Sequence, residues 1–175
     1  MEALNDVVRS GKARYIGASS MHAWQFAKAQ QVAKENGWAR FTSMQNQINL
    51  IYREEEREMI PLCLDQGVGL IPWSPFARGK LARPVGISTP RAKTDNVLEK
   101  MYSRTIDADN AVISNVEAIA KEIGCPMVQV ALAWIRQKEG VSAPIIGYTS
   151  SDQFDQILGG LSLIHISEPT RLQQI

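Results

Sequence analysis

Residues Gly67–Leu81 read GVGLIPWSPFARGKL. The leading glycine is a helix stop. Val68–Pro72 then forms a nearly all-apolar run, as expected for a parallel strand covered on both faces. Past it, Trp73–Lys80 turns polar, with Gly79 between two cations, Arg78 and Lys80. The run APII at Ala143–Ile146 has the same all-apolar character. Two further strands are expected at Arg14–Ala18 and Phe41–Met44. Helical spacing fills the intervals. Glu2–Arg9 carries Leu4, Val7 and Val8 on one side and stops at Gly11. Ala23–Asn36 closes at Gly37, and Glu54–Gln66 ends at Gly67, with Pro61 marking a kink or a fresh start. Asp109–Ile123 places Val112, Val116, Ile119 and Ile123 on a common face before Gly124. Pro126–Gly140 lines one side with Val128, Ala131, Leu132 and Ile135, and Asp152–Leu158 closes the regular part. Phe76–Thr105 reads as a long irregular loop. Alternating βα units define an α/β fold. Counting strands leaves two forms open, a doubly wound sheet or part of a barrel.

Composition narrows the function classes. The chain has 175 residues, enough for one core but short of the roughly 250 of a closed (β/α)₈ barrel. Hydrophobic residues at 45% and charged residues at 21% exclude disorder. A net charge of +1 provides no global basic field, so no nucleic-acid partner is expected. Apolar runs fall well short of a bilayer span and no signal peptide opens the chain, so no membrane insertion is expected. Cys63 and Cys125 are isolated thiols, read as core residues of a reducing, cytoplasmic protein. His22 and His165 have no ligand partner nearby, so no metal site is expected, and His22 receives no role.

Polar or unusual residues follow each strand: Ser19 and Ser20, Gln45 and Gln47, Trp73 and Ser74, then Gly147, Tyr148 and Thr149. Ligands bind at that end of parallel sheets, where βα loops and helix N-termini converge. The Ser74–Lys80 turn is a candidate pyrophosphate cradle, and Thr149–Ser151 a second phosphate seat. Each feature also has a plainer reading. Ser19, Ser20 and Ser151 suit helix N-caps, which taken alone is favoured. Trp73 suits a core, Arg78 and Lys80 a solvated surface, and Glu54–Glu56 an exposed first helical turn.

Five segments together resemble the C-terminal half of an aldo-keto reductase. They are GKARYIGASSMHAWQ (Gly11–Gln25), SMQNQINLIYREEEREMIPLC (Ser43–Cys63), Gly67–Leu81, QVALAW (Gln129–Trp134) and APIIGYTSSDQ (Ala143–Gln153). They stand in the family's order and spacing across nearly all of residues 1–160. The resemblance implies a partial (β/α)₈ TIM barrel, strands five to eight with their helices, that binds NADP(H) ahead of NAD(H). Ser19 and Gln45 would hold the nicotinamide carboxamide. Ser20 stands where the family usually has Asn, and Trp73 where it has a stacking aromatic, often Tyr. Ser74, Phe76, Arg78 and Lys80 fall in the loop that wraps the pyrophosphate. Gly147, Thr149 and Gln153 fall in the segment around the adenosine 2′-phosphate and ribose, with Gln156 close to the adenine.

The family's catalytic Asp, Tyr, Lys and His have no counterpart here. None of Tyr15, Tyr52, Tyr102 or Tyr148 sits in the matching motif. Without the Tyr as proton donor the chain is expected to be inactive. Met1 matches an interior helical position of the family. Residues Leu161–Arg171 (LSLIHISEPTR) resemble a translated sequencing adapter, so 161–175 is expected to be a non-native tail. The intact parent would reduce a small aldehyde or ketone, or oxidise the alcohol. A half barrel should expose unpaired sheet edges and an uncovered apolar inner face. Two other readings stand beside this one. One is a non-catalytic nicotinamide-binding subunit resembling channel-associated relatives. The other is a flavodoxin-type open sheet, for which RYIGASSMH offers only a short, glycine-poor phosphate loop.

Overall fold

A computed structural model of the chain describes residues 1–87, 102 and 105–163. Most of the expected tail, including His165, and much of the Phe76–Thr105 loop lie outside the described residues. The described chain forms two compact units. Elements are numbered as they occur among the described residues.

The first unit comprises Met1–Ile48, Arg53–Trp73 and Lys138–Ile145. It holds α1 (Glu2–Arg9), β1 (Ile16–Ser19), α2 (Ala23–Glu35), β2 (Phe41–Gln45), a 3-10 turn (Glu54–Glu56), α3 (Met59–Asp65) and β3 (Gly69–Leu70). The strands are parallel in the order β1-β2-β3. Ala18, Met44 and Leu70 pair across the sheet and are all buried. Phe26 and Ala33 of α2 and Met59, Ile60 and Cys63 of α3 complete this core. Phe26 stacks on Phe41 with ring centres 5.9 Å apart. The buried Gln30 amide bonds both main-chain groups of Phe41, at 3.0 and 2.9 Å, and so clips α2 to the start of β2.

Several expectations shift. β1 starts at Ile16 instead of Arg14, with Tyr15 77% exposed before it. The expected Glu54–Gln66 helix is two pieces, and α3 is the fresh start. Pro61 is the third residue of α3, where an N–H would have no intrahelical acceptor. Regular β3 covers only Gly69–Leu70, although Ile71 and Trp73 still donate to Met44 O and Asn46 O at 2.9 Å. Ala143–Ile146 is not a strand. Ser142 donates to Leu70 O and Ile145 to Pro72 O, leaving isolated bridges at Val141 and Ile145. Regular alternation after Ser142 would call on the N–H of residue 144, which is Pro144 and has none. The described sheet therefore has three strands.

The other sheet face also departs from expectation. Gly17, Ser43 and Gly69 pair across it, with Ser142 beside Gly69. This row is small and polar rather than apolar. A Cβ on Gly17 would meet Ser43 Oγ, and one on Gly69 would lie 2.6 Å from Ser142 Oγ. In α1, Leu4 and Val7 of the apolar stripe are each 38% exposed. The buried residue is instead Asn5, whose Oδ1 accepts the Ala39 N–H at 3.1 Å.

The second unit comprises Asn49–Tyr52 and the described parts of Ser74–Gln137 and Ile146–Ile175. It holds a 3-10 segment (Ala77–Ala82), α4 (Ile106–Ile123), α5 (Met127–Arg136), α6 (Ser151–Leu158) and a 3-10 turn (Gly159–Leu161). The start of the expected irregular loop is thus helical turn. α4 starts three residues before the expected Asp109 and buries Asp109, Ile113, Val116 and Ala120. Of the expected face only Val116 is buried, and Ile123 is exposed. Apolar periodicity could not register that the helix buries a carboxylate. Gly124 ends α4 at φ +74°, and the chain turns so that α5 lies 102° from α4. α5 is buried nearly all round, from Met127 through Ile135 except Gln129. No single helix among the described residues is long and apolar enough to cross a membrane.

Candidate functional site

In the first unit four predicted residues come together at the strand ends. Ser19 Oγ and the Ser20 N–H both donate to Gln45 O, at 2.8 and 3.0 Å. The Trp73 indole N–H donates to Ser20 Oγ at 3.2 Å, and its main-chain N–H to Asn46 O. Gln47 bridges Trp73 in the parallel sense. Neither serine caps α2. His22 holds that position, and its N–H is bonded by Gln25 Oε1 at 3.1 Å. Trp73 is half-buried and is not a core residue. The result is a polar corner with an indole edge held in a fixed plane.

Behind this corner lies a pair that periodicity did not flag. Asn46 is fully buried, donates Nδ2 to Glu55 Oε2 at 3.2 Å, and leaves Oδ1 without a hydrogen bond. Burial pushes the Glu55 carboxyl above its ordinary range; the Asn46 bond partly offsets this and the Glu54 charge adds to it. Glu56 behaves oppositely. Burial raises it, but hydrogen bonds from Arg53 and Lys138 outweigh that and hold it below the ordinary range. Glu55 and Glu56 are thus half-buried and engaged, and the exposed-turn reading holds only for Glu54.

The second unit contains the Ser74–Ala82 turn. Ser74, Ala77 and Arg78 have φ of +55°, +47° and +54°, followed by Gly79 at +97°. Left-handed backbone at non-glycine residues costs of order 1 kcal/mol each and persists only where surroundings enforce it. Here Ala77 N–H bonds Ser74 O, Arg78 N–H bonds Ser74 Oγ, and both Gly79 and Leu81 donate to Phe76 O. The Phe76 side chain is 8% exposed, so the residue can offer a ligand little but its main chain. Arg78 is exposed. Lys80 is not a solvated charge. Its Nζ lies 2.9 Å from Asp109 Oδ2 and 5.0 Å from the Tyr102 ring centre. Asn49, fully buried, donates Nδ2 to Ser74 O at 3.0 Å and to Tyr102 Oη at 3.3 Å. Its Oδ1 accepts the N–H groups of Ile51 and Tyr52. Asn49 and Asp109 carry no motif signal; only unusual polarity within apolar surroundings marks them.

In the same unit Thr149 bonds Gln153 Oε1 through both N–H and Oγ1, at 2.9 and 3.0 Å. Ser150, not Ser151, caps α6 by accepting the Gln153 N–H. Gln156 is exposed, and its carbonyl accepts Gln129 Nε2 at 2.7 Å. Gly147 is exposed, with open space where a Cβ would stand. Tyr148 packs against Phe154 with ring centres 4.7 Å apart.

The aldo/keto reductase family model matches residues 1–171. The chain belongs to the aldo/keto reductase family. The chain is 52% identical over 165 residues to a versiconal hemiacetal acetate reductase of Aspergillus parasiticus, covering 93% of this chain and 48% of the relative. It is 46% identical over 168 residues to a putative aryl-alcohol dehydrogenase of Schizosaccharomyces pombe, covering 93% and 50%. An aldo-keto reductase of Alternaria alternata is 46% identical over 177 residues, covering 99% and 47%. The chain spans about half the length of these curated relatives. The parallel α/β sheet conforms to the TIM-barrel fold of the aldo/keto reductases.

Proposed function

We propose that this chain is the cofactor-holding half of an NADP(H)-dependent aldo/keto reductase, corresponding to barrel strands five to eight with their helices over residues 1–160. In the intact protein a bound nicotinamide cofactor supplies the hydride for reducing a small aldehyde or ketone, or accepts it from the alcohol. Ser19, Ser20 and Gln45 orient the carboxamide end, and the Trp73 ring sets which face is presented. Ser74, Phe76, Arg78 and Lys80, largely through main chain, form the pyrophosphate turn. Gly147, Thr149, Gln153 and Gln156 form the adenosine end. The mutual bonding of Ser19, Ser20, Gln45 and Trp73 carries this reading, because it ties three separate strand ends into one polar corner.

The chain by itself contains no Tyr, Lys and His set matching the family's proton donor, and we assign it no turnover. Relatives named for a hemiacetal acetate and for aryl alcohols favour small oxygenated organic substrates for the intact protein. We assign 161–175 to a non-native tail, which the genomic sequence at that locus tests directly. Titration with NADPH, read by tryptophan fluorescence, tests the main proposal. Saturable quenching, lost in Trp73→Leu and weaker with NADH, is the expected result. No quenching at millimolar NADPH would sink it.

A further inference from the structure

Four polar side chains of the second unit form one connected path across its interior. Asn49 bonds Ser74 O at one end of the turn, and Tyr102 Oη receives the other Asn49 contact. The Tyr102 ring underlies Lys80 at the other end, and Lys80 pairs with Asp109 of α4. Between these two anchors lie Ala77, Arg78 and Gly79, with positive φ. Such a backbone would relax to ordinary conformations if its ends were released.

We infer that Asn49 and the Lys80–Asp109 pair are positioning residues that clamp both ends of the Ser74–Lys80 turn, so that its positive-φ backbone keeps the shape in which it meets a phosphate-bearing ligand. This rests on the reading of that turn as a pyrophosphate seat, and it changes the part played by Lys80. The lysine is a strut of the turn, not a ligand of the phosphate. Charge bookkeeping decides between the two roles. Asp109 is 3% exposed, and the only ion pair formed by its carboxylate among the described residues is with Lys80. A Lys80 drawn away to a phosphate would strand that carboxylate in a water-poor site, where an unpaired charge is strongly unfavourable. The phosphate therefore meets the turn without Lys80, on the side where Arg78 is the exposed cation.

The two roles predict opposite signs for one substitution. If Lys80 were a phosphate ligand, Asp109→Asn would free its charge and tighten binding of NADPH or adenosine 2′,5′-bisphosphate. As a clamp, Asp109→Asn and Lys80→Met each weaken both ligands about tenfold, the double variant is little worse than either, and Lys80→Arg restores binding. Amide hydrogen exchange of the full chain supplies a readout free of ligand. Gly79 and Leu81, which share the Phe76 carbonyl, should lose about tenfold protection in both variants, while the α5 amides of Val130–Ile135 keep theirs and show the unit still folded. Restored protection in Lys80→Arg supports the clamp. Unchanged protection in both variants, absent protection of Gly79 and Leu81 in the parent chain, or tighter binding by Asp109→Asn overturns it. A parent chain that binds neither ligand but shows the exchange pattern overturns the pyrophosphate reading and leaves the clamp standing.

Discussion

The strand-end corner of the first unit and the Ser74–Ala82 turn of the second are both candidate ligand-facing surfaces, built on opposite principles. The corner is held by main-chain geometry. Ser19, Gln45 and Trp73 are where they are because β1, β2 and the continuation of β3 bond one another, and ordinary extended backbone suffices. The turn has no ladder. Bonds within the turn link its positive-φ residues, and the buried side chains of Asn49 and Asp109 hold its two ends. A ladder spreads its stabilisation over many bonds, so single side-chain changes are absorbed. A turn clamped at two points concentrates it, so one deletion is felt throughout.

The sharpest way to break that contrast is Asn49→Ala. It removes one of two bonds each from Ser74 O and the Tyr52 N–H and takes the Oδ1 acceptor from the Ile51 N–H, all at a fully buried site, and should destabilise by about 2 kcal/mol. A urea midpoint within error of the parent would refute the concentrated-support view. On the ladder side, Gly17→Val drives a branched side chain into Ser43 Oγ, and overpacking of this kind costs about 2 kcal/mol. Ser19→Ala, which removes a single hydroxyl bond from the same strand, should cost under about 1 kcal/mol.

Acid titration of stability separates the two adjacent carboxylates beside the corner. Glu56 has a lowered folded value, so its contribution is complete above its ordinary value of 4.5 and is lost as pH falls through the lowered one. Glu55 has a raised folded value, so its charge is a penalty at neutral pH that lifts as pH falls through that value. Glu56→Gln should therefore flatten the acid loss, and Glu55→Gln should raise stability at pH 7 and lower it little at pH 4. The reverse pattern in thermal melts would show that the assignments are swapped. Thiol labelling gives a slower reporter. Burial, with the Glu55 charge adding, pushes Cys63 up to about 11, so at pH 8 it should label only when the first unit opens, after the half-exposed Cys125. The smallest effect belongs to Gly147→Ala, where nothing lies within 4 Å of the new methyl and no change beyond about 0.5 kcal/mol is expected.

Legibility in the sequence followed the kind of force at work. α2 and β2 came within one residue of their expected bounds, because glycine stops and apolar runs act locally. The Ala143–Ile146 strand failed because apolar composition says nothing about the missing N–H of Pro144 at a donor position. The α4 face failed because Asp109, a charge, is what the helix buries. Ser19 and Ser20 look like caps in isolation, and only the arrival of Gln45 and Trp73 from later strands gives their hydroxyls other partners.

By itself the sequence determined the α/β class, the family and the polar residues that stand after the first two strands. Those properties depend on local propensity and on motif order along the chain. Tertiary structure alone decided that the open sheet face is glycine and serine, that Lys80 is spent on Asp109, and that Asn49 holds the turn. Each depends on groups far apart in sequence meeting in a site shut off from water, where a charge or amide must find a partner.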